Sequence, residues 1–158
     1  MPTLIPPVPP HTVHDDGALR IMVQGNVLAV CNREPPSLRG LERLLSAIDT
    51  LHAERRGRIS IVVVPQAEQP RLTADVARAI AEGWRVRDPL IACGAAWLRR
   101  TGFVAAALRS LVSGVLLTRP STATPVRVSA DLDEIATFVE GHGEQAYELR
   151  GLLEAVIA

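Results

Sequence analysis

Aromatic side chains are scarce: Trp84, Trp97, Phe103, Phe138 and Tyr147 are the only five in 158 residues. So few rings exclude a base-stacking platform or an aromatic carbohydrate groove, and they require a mostly aliphatic core. Cysteine is scarcer still. Cys31 and Cys93 are too few for a disulfide framework or a thiolate metal cluster, and both sit in apolar surroundings, which implies reduced thiols and a cytoplasmic setting. Charge of one sign is missing as well. Seventeen Lys and Arg balance seventeen Asp and Glu, so no global field gathers nucleic acid or an anionic membrane. The richest apolar region is interrupted by Arg99, Arg100 and Arg109, which rules out a long membrane-spanning run there. Glycine-rich phosphate loops of the Walker or Rossmann type are lacking too.

Residues 1–17, MPTLIPPVPPHTVHDDG, carry five prolines within the first ten positions and no basic cluster ahead of an apolar stretch. This pattern does not resemble a signal peptide, and it predicts a proline-rich flexible arm. A core domain is expected over 18–140 and a helical extension over 141–158. Within the core, Leu19–Gln24 and Val27–Asn32 read as two strands joined at Gly25-Asn26. Leu38, Leu41, Leu44, Leu45, Ile48 and Leu51 then form one helical stripe, with Ser37 to cap its start and Gly57 its end. The continuous β-branched run ISIVVVP, residues 59–65, predicts a strand covered on both sides.

Thr73 is placed to cap a helix whose face includes Val76, Ala79, Ile80 and Trp84. The next strand has two placements. One is residues 89–93. The other is residues 95–100, which would make Thr101-Gly102 the direct entry to a helix carrying Val104, Ala107, Leu108, Leu111, Val112 and Val115. A short strand VRVSA, a helix capped by Asp131 with Glu134 completing a capping box, and a last helix with Leu149, Leu153, Val156 and Ile157 on one side complete the chain. The alternation predicts an α/β fold: a single mixed, mostly parallel sheet of about five strands packed by helices, with an additional C-terminal helix.

This order, followed through Leu19, Ile61, Thr73, Gly102 and Asp131, resembles the STAS-type domain of anti-anti-sigma factors over about residues 17–140. The resemblance implies a regulatory module that docks protein partners rather than turning over substrates. It also makes Thr73, at the start of the helix after the third strand, the phosphorylation or switch candidate. The chain has PRLTADV where that family has an Asp-Ser-x-Gly-like sequence, so the match is one of topology.

Arg71 could meet a phosphate on Thr73, and Arg99, Arg100, Thr101 and Gly102 could contact a partner or an anion at a helix start. No catalytic set emerges: Cys93 has no histidine placed near it, the four being His11, His14, His52 and His142. HTVHDD lies in the arm and is not expected to form a metal site. The sequence therefore predicts a non-enzymatic regulatory or scaffolding domain without cofactor or metal, meeting a protein partner or a second copy of itself. Leu149, Leu153, Val156 and Ile157 are the self-association candidates. The alternative is a small anion or small-molecule binding protein, or a degenerate enzyme, using the start of the Phe103 helix.

Overall fold

The computed structural model describes residues 8–67, 71–99, 102, 106, 109, 110, 124–143 and 149–158. Six strands form one mixed sheet, laid out in chain order: β1 (His11–Asp15), β2 (Leu19–Gln24), β3 (Val27–Asn32), β4 (Ile59–Pro65), β5 (Ile91–Trp97) and β6 (Val126–Ser129). The pairs β1–β2 and β2–β3 are antiparallel, and β3–β4, β4–β5 and β5–β6 are parallel. The turn between β2 and β3 is tight because Gly25 adopts φ +58°, a conformation that glycine reaches without a Cβ clash.

Four helices among the described residues cover the sheet. α1 (Leu38–Arg55) and α2 (Ala74–Arg87) join β3 to β4 and β4 to β5. α3 (Leu132–His142) and α4 (Leu149–Ile157) follow β6. Because side chains alternate along a strand, the sheet has two apolar faces. Ile21, Leu28, Val30, Ile59, Ile61 and Ile91 pack with Ala47, Ile48 and Leu51 of α1. Met22, Ala29, Cys31, Val62, Val64, Cys93, Ala95 and Trp97 pack with Ile135 and Val139 of α3 and Leu149, Leu152, Leu153 and Val156 of α4. The uninterrupted apolar run of β4 follows from this double coverage.

Several expectations are corrected. The sheet has six strands rather than about five, because His11–Asp15, in the stretch expected as a flexible arm, pairs with β2. Backbone hydrogen bonds hold this edge strand while its side chains remain largely exposed, so hydropathy gives no sign of it. β5 straddles both placements considered for it: a 3-10 turn, Asp88–Leu90, ends the helical segment and the strand runs from Ile91 to Trp97. α1 is closed by Arg56, not Gly57; Arg56 takes φ +55° and its N–H donates to the His52 carbonyl at 2.7 Å. Glu134 completes no capping box. It accepts from Ser129 Oγ at 2.7 Å and Arg127 Nη1 at 3.0 Å, while Ser129 Oγ takes the Asp131 N–H. The helix expected from Phe103 lies mostly outside the described residues; Gly102, Ala106, Arg109 and Ser110 are helical and exposed. Among the described residues no helix is long and apolar enough to cross a membrane.

Candidate functional site

Parallel pairing brings the carboxyl ends of β3, β4 and β5 to one edge of the domain. From that edge the chain leaves β4 and reaches Thr73, which caps α2 as expected: its Oγ1 accepts the Val76 N–H at 3.3 Å. Thr73 and Arg71 are both exposed. Arg78 turns toward Asp75, 4.0 Å away, on the first turns of the same helix. An N-cap hydroxyl beside the positive end of a helix is a position where a phosphoryl group gains from the helix dipole.

Arg99 leaves the same edge on the opposite face of the sheet. Its guanidinium lies 5.2 Å from the ring centroid of Trp97, on the side covered by α3 and α4, whereas α2 covers the other side. The two candidate patches thus share one end of the domain and point to different faces. Gly102 is exposed with φ +76°, a conformation that glycine reaches without a Cβ clash. Arg100 and Thr101 lie outside the described residues.

Sequence reading missed the neighbours that Arg99 acquires. Cys31 is buried, and its thiol donates to Gln66 Oε1 at 3.3 Å. Burial pushes that thiol above its usual range, while the nearby guanidiniums of Arg33, Arg20 and Arg99 pull the other way. Arg20 donates to Asp15 Oδ2 at 2.8 Å and to the Ala155 carbonyl at 3.3 Å; Arg33 lies 3.6 Å from Asp15. Side-chain parity was the available signal. Arg33, Gln66 and Arg99 continue the alternation of Ala29 and Cys31, of Val62 and Val64, and of Ala95 and Trp97.

The second thiol is equally guarded: Cys93 donates to Ser60 Oγ at 3.4 Å and burial raises its pKa. Neither sulfur is a ready nucleophile. The carboxylates of Asp15 and Asp16 are lowered chiefly by backbone N–H bonds from Gly17 and Leu19, as in a tight turn. His14 lies on β1 with Nε2 3.1 Å from Asp16.

A cavity of about 250 Å³ lies between α1, α2 and the sheet. Leu41, Leu44, Leu72, Ile80 and Val63 line it, with Asn32 and Ser37 among the polar contributors. The helices meet beside it where Gly83 packs on Leu45, and Arg87 bridges them through paired bonds to Asp49 at 2.8 and 2.9 Å. The N-terminal part of the leucine stripe predicted for α1 therefore borders open space, and Leu38 is half exposed.

The apolar stripe of the last helix is occupied within the chain. Leu149, Leu153 and Val156 are buried against the sheet, and Ile157 is partly buried against the same cluster. Of the two roles open to that stripe, covering the domain's own sheet or meeting a second copy, these three side chains take the first. No protein-family model, curated protein or solved structure matches the chain.

Proposed function

We propose that this chain is a non-enzymatic regulatory or scaffolding domain of STAS-like type that works in the cytoplasm by docking a protein partner at the start of α2, with Thr73 as its switch. The observation that carries this reading is the exposed Thr73 capping the helix that joins the central parallel strands β4 and β5. Modification there adds negative charge where the helix terminus favours it and where Arg71 is close in sequence. The same charge changes the surface that a partner meets. The sequential sheet order and the two helices joining parallel strands on one face support the STAS-like assignment. The raised thiols weigh against cysteine chemistry.

A capture experiment with three versions of the chain tests it. Thr73→Asp retains a capping carboxylate and mimics the added charge, whereas Thr73→Ala removes the cap. A partner retained by wild type must bind Thr73→Asp at least about tenfold differently, while Thr73→Asp melts like wild type. Equal binding by all three removes Thr73 as the switch.

The cavity favours a second reading, a small-molecule binding domain. Its volume lies below the roughly 300–1,000 Å³ of drug-sized sites, which suits a small, mostly apolar ligand. Leu44→Trp fills that space, so it must abolish the binding of an apolar fluorescent probe without lowering stability. Undiminished probe binding rejects the cavity as the site.

A further inference from the structure

Arg33, Gln66 and Arg99 stand in line across three neighbouring strands. Asn32 pairs with Pro65 and Val63 with Ala96, so continuing each register sets Arg33 beside Gln66 and Gln66 beside Arg99. The ladder does continue between the first two, the Gln66 N–H donating to the Asn32 carbonyl at 2.7 Å. Their side chains share one face, as three separate contacts attest: Gln66 on Cys31, Arg99 on Trp97, and Arg33 toward Asp15. Adjacent strands lie about 4.8 Å apart, so the two arginines straddle the glutamine at a backbone separation of about 10 Å. Arg20, opposite Cys31 on β2, stands behind them.

Charge makes the row unusual. Among the described residues Asp15 serves both Arg20 and Arg33, whose side chains are only 20% and 29% exposed. Among the described residues Arg99 has a ring contact and no carboxylate within ion-pair distance. On the neighbouring α3, Asp133 pairs with Arg150, Glu134 with Arg127 and Asp131 caps the helix, while the exposed Glu140 lies near its far end, two residues before His142. Among the described residues three guanidiniums face one carboxylate, an excess of two positive charges at this rim, and their mutual repulsion favours the entry of an anion.

We propose that this row is a binding site for a phosphate-sized oxyanion, gripped by Arg33 and Arg99 on either side of Gln66. Guanidinium forks match the tetrahedral oxygens of a phosphoryl group through paired, charge-assisted bonds. The location, outside the carboxyl ends of parallel strands, is where open α/β sheets hold their ligands. The site lies on the opposite face from Thr73 and stands or falls independently of docking at α2.

Titration by amide-resolved NMR at low ionic strength tests it with two probes: inorganic phosphate, and a phosphothreonine peptide with neutral flanking residues. Saturable shifts centred on Arg33, Gln66 and Arg99 are expected. Arg33→Gln and Arg99→Gln should each weaken binding about tenfold or more, the loss of a charge-assisted hydrogen bond, and Arg78→Gln on the other face should leave it unchanged. Comparable affinity for both probes identifies a free anion as the ligand, and clear preference for the peptide identifies a phosphorylated protein segment. Absence of saturation with both probes, equal binding by the Arg33→Gln/Arg99→Gln double variant, or an equal loss in Arg78→Gln overturns the proposal. Arg99 is exposed, so its variant keeps the fold and separates binding from stability.

Discussion

Gly94 occupies a buried position on β5 where a Cβ would lie 2.9 Å from Cη2 of the Trp84 ring. A rigid indole cannot yield as a leucine tip does, so Gly94→Ala should lower stability by about 1–3 kcal/mol, measured by denaturant unfolding. The two thiols make a second prediction. Burial raises both above the usual thiol value of 9.0, so the folded chain retains protons that the unfolded chain releases. Their contribution is complete below that value and is lost as pH rises past it. Unfolding free energy should therefore fall above about pH 9, and Cys31→Ser/Cys93→Ser should flatten that decline. Thr73 was legible in the sequence because capping is local: a threonine three residues before Val76 suffices. Arg33 and Gln66 were not, because their role depends on the register of three strands far apart in sequence, which no local pattern encodes.

α4 tests the placement of the C-terminal segment. Leu153 is fully buried among residues of β2 and β3, so Leu153→Ala should cost about 2–5 kcal/mol. Removing residues 149–158 should bare Met22, Ala29 and Cys31 and yield an aggregating or unfolded chain, seen by circular dichroism and light scattering. A truncated chain that stays folded contradicts the packing described. The helices and central strands were legible where burial imposes a period. Leu19–Gln24, Val27–Asn32 and 59–65 emerge with the expected bounds. β5 was ambiguous because every residue from Ile91 to Trp97 is buried, which erases alternation and leaves the Asp88–Leu90 turn and pairing with β4 to set its limits. β1 escaped for the opposite reason: an edge strand with exposed side chains carries no hydropathy signal.

At the scale of the molecule, three layers of helix, sheet and helix fix which surfaces remain for partners. Both sheet faces are spent on the core, and the stripe of α4 is spent with them. Among the described residues the rim at the carboxyl ends of β3, β4 and β5 carries both candidate patches, Thr73 on the α2 side and the arginine row on the other. On the proposed reading, regulation at this rim would require little movement of the core, since modification of Thr73 would change charge at a surface already formed. Hydrogen exchange of the chain alone and in complex with its captured partner tests the central claim most directly. Slowed exchange is expected at residues 71–77, just before and within the opening turn of α2, with its loss in Thr73→Asp. Protection confined to other elements, with residues 71–77 exchanging as in the free chain, would contradict it.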